Sequence, residues 1–108
     1  MKDKQLTHEI IGAAMEAHRH LGNGFQEVVY QRALAIEFGL RNIEFKREYN
    51  MDLNYKGHNI GTRRVDFLVE DNIMVEIKAI IDLEDVHLAQ AMNYVEAYYL
   101  DIGLLINF

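Results

Sequence analysis

Asp66, Glu76 and Lys78 fall within one short stretch, from Arg63 to Lys78, in which apolar and polar residues alternate on both sides of Glu70-Asp71-Asn72. Strand residues alternate between faces with period two. Read as two strands around a turn centred on Asp71, the stretch puts Val65, Phe67 and Val69 on one apolar face with Ile73, Val75 and Ile77. Arg64, Asp66, Met74, Glu76 and Lys78 take the other face. That register sets Asp66 opposite Glu76, with Arg64 and Lys78 as the next pair. Like charges directly opposite weaken a sheet by roughly 0.2–1 kcal/mol, so two carboxylates there ask for a cation between them. Mg²⁺ takes one or two carboxylates and keeps several waters. It polarises a phosphoryl oxygen and lowers the pKa of bound water. Lys78 could orient the attacking water or stabilise charge on a pentacovalent phosphate. The chemistry these three residues suit is metal-assisted phosphodiester hydrolysis. The plainer alternative is a solvated strand face with salt bridges to Arg64 and Lys78.

Other residues could serve the same chemistry. Arg63 and Arg64 stand just before Asp66, and paired arginines suit phosphate contacts; charge balance for the acidic face explains them equally. Gln90 and Tyr94 lie one helical turn apart with His87 beside them, on the flank of an apolar helix face. A half-buried edge, where a tyrosine keeps its hydroxyl wet, would use the same residues. Glu27 is a carboxylate on the apolar stripe of Tyr30, Leu34 and Phe38; alternatively it is a first-turn acid favouring the helix dipole, with Asn23 and Gln26 as a capping-box-like pair. His18 reads as a packed or capping residue rather than a ligand.

These residues need elements to hold them. Thr7 is a candidate N-cap for a helix to about Leu21, with Ile10, Ile11, Ala14, Ala17 and Leu21 at helical spacing. Gly22-Asn23-Gly24 breaks it. A second helix is predicted from about Phe25 to Leu40. It carries two apolar faces, one of Val29, Ala33, Ile36 and Leu40 and one of Tyr30, Leu34 and Phe38, as in a helix sandwiched between other elements. Tyr49, Met51, Leu53 and Tyr55 alternate as a strand before a turn at 56–59. After the hairpin comes a helix from Asp82 or Glu84 to Tyr99, with Leu88, Ala91, Met92, Val95 and Tyr99 toward the core. A buried apolar strand from Ile102 to Phe108 follows. The chain stops abruptly there, with a C-terminal tail missing or absent. A crossover through the last helix makes the final strand parallel to a hairpin strand. The pattern is an α/β sheet flanked by helices, and 108 residues suit a single domain, 1–108.

The chain has no cysteine, which excludes disulfides and thiolate chemistry and fits a cytoplasmic protein. No apolar run is long enough for a membrane span, and the start lacks a signal segment. A formal net charge of −6 cuts against a nucleic-acid binder that works by charge alone. It leaves room for a nuclease, because clustered acids that bind metal lower the net charge while basic residues gather locally. No phosphate-cradling glycine loop supports a nucleotide pocket.

The spacing D-x₉-E-x-K resembles the core of the PD-(D/E)XK nuclease superfamily. Gly24-Phe25-Gln26-Glu27-Val28-Val29-Tyr30, with Ala33-Leu34 and Leu104-Leu105-Ile106-Asn107-Phe108, resembles the GxxExxY protein family, a small branch of it. The resemblance runs from Thr7-His8-Glu9-Ile10-Ile11-Gly12-Ala13-Ala14 to the end, with Asn23 where that family often has proline. It implies a restriction-endonuclease-like core, a mixed central β-sheet flanked by helices in the order ααβββαβ. It also implies a Mg²⁺- or Mn²⁺-dependent nuclease acting on nucleic acid, DNA rather than RNA, with Glu27 joining Asp66 and Glu76 at the metal. The Gln90–Tyr94 helix resembles the RecB-type branch, where such a helix contacts substrate. The alternative is a catalytically silent module on the same fold that binds nucleic acid or a protein, or pairs as a homodimer to cover an open sheet edge.

Overall fold

The computed structural model describes residues 4–80, 83–97 and 102–108, without the side chains of residues 94, 96 and 97. The elements run α1 (Lys4–Leu21), α2 (Glu27–Leu40), β1 (Phe45–Tyr55), β2 (His58–Val69), β3 (Ile73–Lys78), α3 (Asp85–Ala97) and β4 (Ile102–Asn107). This is the expected ααβββαβ order. The sheet order is β1-β2-β3-β4. β1–β2 and β2–β3 are antiparallel and β3–β4 is parallel, so the sheet is mixed.

Helices cover both faces. On one, α1 and α2 deliver Ile10, Ala13, Ala14, Tyr30, Leu34 and Phe38 against Phe67, Val69, Ile73, Val75 and Ile77. On the other, Ala91 of α3 packs with Val65, Leu68 and Met74, and Val95 closes over them. The second helix is therefore not sandwiched. Its Tyr30, Leu34 and Phe38 face is buried, whereas Ile36 and Leu40 are 64% and 72% exposed. α3 likewise differs from the sequence reading: Leu88 and Met92 point outward, and among the described side chains Ala91 is its buried contact. A short side chain there lets the helix approach Gly103, where an added Cβ would collide with Val95. Tyr99 and the helix start at Asp82 lie outside the described residues.

Thr7 lies inside α1 rather than capping it, since the helix begins by Lys4. Glu9 of α1 pairs with Arg41 at the end of α2 at 3.1 Å, and Gly12 leaves room for that guanidinium. Gly22 and Gly24 hold φ of +71° and +103°, the left-handed region that suits glycine. The buried Tyr30 hydroxyl donates to the Gly22 carbonyl, and its ring stacks on Phe108 at 4.5 Å. The tyrosine of G-x-x-E-x-x-Y thus ties the α1–α2 loop to the core. Asn23 does not cap α2; its Oδ1 meets His18 Nε2 at 2.8 Å.

The hairpin register is as expected, with Phe67↔Val75, Leu68↔Met74 and Val69↔Ile73. The ladder ends there, and β2 parts from β3 at Asp66, so the expected Asp66–Glu76 and Arg64–Lys78 cross-strand pairs do not form in the ladder. Glu48, which faces that position from β1, has φ of +50°, and the β1–β2 ladder skips the Glu48–Asp66 step. This kink changes which side each residue faces. Phe67 packs toward α1 and α2, but Val65 packs with Leu68 and Met74 toward α3. Val65 therefore does not share the face of Phe67 and Val69, because strict alternation fails where the strand bends.

Candidate active site

Asp66 sits at the point of that separation. Its Oδ2 accepts the Ile77 N–H at 2.7 Å, so a side chain stands in where β2 backbone would have paired with β3. Its Oδ1 accepts from Gln31 Nε2 of α2 at 3.0 Å. Gln31 is 7% exposed, and its Oε1 accepts from Arg47 Nε of β1 at 2.8 Å. Arginine can only donate, so it fixes the amide with its carbonyl toward Arg47 and its NH₂ toward Asp66. Two elements thus orient one carboxylate. Gln31 and Arg47 do not stand out in the sequence. The available signal was Gln31 itself, a polar residue among Tyr30, Leu34 and Phe38 on the buried stripe of α2.

Glu76, on the central strand β3, is 6% exposed. Its Oε2 accepts from Arg63 Nη2 at 3.2 Å. Its Oε1 is buried with no hydrogen-bond partner among the described residues. Burial, and then the nearby charge of Asp66, push the Glu76 carboxyl up to about 7, against the opposing pull of Arg63. A buried acid with an unserved oxygen beside a second carboxylate is what a cation would relieve. The donor set is hard oxygen and suits Mg²⁺ or Mn²⁺.

Lys78 follows two residues later and lines a small cleft with Glu76, Arg63, His87, Gln90 and Leu105. Asn107 braces this end of β3: its side chain accepts from the Ile80 N–H at 3.0 Å and donates to the Ile80 carbonyl at 2.9 Å. Gln90 is exposed at the cleft from α3, and the Tyr94 side chain lies outside the described residues. His87 Nδ1 accepts the Glu84 N–H at 3.0 Å, capping the start of α3. Arg64 is exposed on the β1–β2 ladder opposite Asn50.

Glu27 is exposed at the start of α2, one turn before Gln31 on the same side of the helix. It is not brought into the pair: among the described residues no three His, Asp or Glu side chains converge as a metal cage. The helix residue that touches Asp66 is Gln31. A larger concavity, about 780 Å³, lies elsewhere, between α1 and the β4 edge. Its walls are mainly apolar, with Ile11, Met15 and Phe108, and its Glu16 is already bonded to Arg19.

No curated protein and no solved structure matches the chain. A family profile does: the PD-(D/E)XK nuclease superfamily matches residues 4–108. With that match over nearly the whole length, on a mixed sheet whose central strand ends in Glu76-Ile77-Lys78, the chain belongs to the PD-(D/E)XK nuclease superfamily.

Proposed function

We propose that this protein is a divalent-metal-dependent nuclease that hydrolyses phosphodiester bonds, in DNA rather than RNA, and that it falls in the GxxExxY branch. The observation that carries the reading is the buried, half-satisfied Glu76 beside the oriented Asp66. Asp66 and Glu76 would hold Mg²⁺ or Mn²⁺, with Glu27 reaching its outer waters across the turn that separates it from Gln31. When bound, the ion supplies Lewis-acid polarisation of the phosphoryl oxygen and a more acidic water. Lys78 orients the attacking water or stabilises the negative charge that grows on the pentacovalent phosphate. Arg63 balances Glu76 until that charge is met otherwise, and Arg63 and Arg64 then suit non-bridging phosphate oxygens. Gln90 borders the same cleft from α3, and Gln90 and Tyr94 are assigned to substrate contact.

The Arg63–Glu76 ion pair favours a second reading, a silent nuclease-fold module whose arginine has replaced the metal. It would bind nucleic acid or protein, and pairing of two copies along the uncharged β4 edge would suit it. Incubation with single-stranded, duplex and branched DNA and with RNA, in Mg²⁺, Mn²⁺ or EDTA, beside Glu76→Ala, separates the two. The nuclease reading expects cleavage that needs metal and is lost in the variant. Retarded bands without cleavage in any metal would retire it in favour of the module.

A further inference from the structure

β1 and β2 run on together well beyond the rest of the sheet. β3 pairs with β2 only over Phe67–Val69, whereas the β1–β2 ladder continues through Asn50↔Arg64 and Asp52↔Thr62 to Tyr55↔His58. Residues 49–64 therefore form a two-stranded arm, turned at Lys56 and Gly57 with φ of +49° and +81°. Only Met51, Leu53 and Arg63 in it are half buried; the rest is exposed. A ribbon wet on both faces is marginal on its own, so core packing does not account for its length.

Its composition points to a partner. Residues 49–64 hold Lys56, Arg63 and Arg64 against Asp52 alone, a formal +2 on a chain of −6. Among the described residues neither Lys56 nor Arg64 forms an ion pair, and Lys56 lies over the Tyr55 ring at 5.3 Å. The other polar groups are Asn50, Asn54, Asn59, Thr62, His58 and the hydroxyls of Tyr49 and Tyr55. The arm has the sign opposite to the body and the same sign as a phosphate-binding surface. Its root is Arg63, bonded to Glu76, so whatever lies along the arm meets the acidic pair.

We propose that the β1–β2 arm is the surface that docks duplex DNA, lying in the major groove with its root at Glu76. The B-form major groove admits a two-stranded ribbon, whereas that of A-form RNA is too deep and narrow. From Tyr49 to Tyr55 the arm extends about 20 Å at ~3.3 Å per residue, roughly six base pairs of groove. The proposal rests on the nuclease reading for its substrate class, but its test does not need cleavage.

The test is fluorescence anisotropy of a labelled 20-base-pair DNA duplex in EDTA at several salt concentrations. Two folded variants, checked by thermal melting, are compared with wild type: Lys56→Glu, and a shortened arm in which Asn-Gly joins Asp52 directly to Thr62. We expect Lys56→Glu to bind about 5- to 10-fold more weakly and to lower the salt slope by about one. The shortened arm should lose more than that, and an RNA duplex should bind wild type more weakly than DNA. A shortened arm that binds DNA like wild type overturns the proposal, as does a wild type that binds no duplex or binds RNA duplex equally through the arm. Sedimentation showing a wild-type dimer that only the arm holds together also overturns it, assigning the arm to self-association. Arm-dependent binding without Mn²⁺-dependent cleavage leaves the arm standing and removes the nuclease reading alone.

Discussion

Once ionised, Glu76 has one oxygen on Arg63 and the other buried with no hydrogen-bond donor among the described residues, beside the Asp66 carboxylate. Between pH 4.5 and about 7 the unfolded chain gives up this proton while the folded apo protein keeps it. The native state then binds more protons, so stability falls as pH rises through that window. Glu76→Gln should remove this fall and stabilise the metal-free protein at pH 7.5 by about 1–3 kcal/mol, which melts in EDTA from pH 5 to 8 would measure. Mn²⁺ affinity of the wild type should rise over the same range, because the ligand must lose its proton. Gln31→Met keeps the volume and deletes the bond to Asp66; loss of an outer partner of this kind typically costs 10–100-fold in metal affinity, readable by calorimetry with Mn²⁺. Lys78→Met should keep that affinity and lose turnover by at least about 100-fold; weakened Mn²⁺ binding instead would show that the lysine serves the ligands.

Much of the element scale is legible in the chain. The hairpin register follows from alternation about Asp71, and the parallel last strand follows from a helix between two apolar segments. Two things are not legible, each for a local reason. Period-two reasoning put Val65 with Phe67, but Glu48 takes a left-handed backbone at that level and the strands bend. Apolar periodicity gave α2 and α3 more core than they have, because Ile36, Leu40, Leu88 and Met92 satisfy the same spacing and face outward. Of the candidate site, Asp66, Glu76 and Lys78 stand out by their spacing, whereas Gln31 and Arg47 come from other elements and carry no motif. The approach of α3 to β4 depends on a missing side chain at Gly103. Gly103→Ala should push Val95 away and destabilise the fold by about 1–3 kcal/mol, checked by urea unfolding, with the Gln90 wall displaced along with it.

For the molecule as a whole, the two sides of the sheet are unequal. The α1–α2 side buries a continuous cluster that includes Tyr30, Phe38 and Phe67, while among the described side chains α3 contributes Ala91 as its buried residue. Local opening free energies follow such differences in buried apolar contact. Hydrogen exchange should therefore be slowest in β3 and the inner faces of α1 and α2, and faster by at least about tenfold in α3 and the distal arm. Equal protection of α3 and β3 would mean that the molecule opens only as one unit. Of these, α3 lines the Glu76 cleft directly and the arm reaches it at its root, Arg63, so the cleft would have a slowly exchanging floor in β3 and a faster wall in α3.

The Asp66 side chain closing the β2–β3 ladder bears on how inactive versions of this protein are made. Alanine at position 66 would strand the Ile77 amide and release Gln31 as well as take away a charge. A protein crippled that way could fail through a frayed hairpin, and its silence would teach little about chemistry. Glu76→Gln is the cleaner knockout, because it preserves the shape of the side chain and leaves the Asp66 bonds to Ile77 and Gln31 in place.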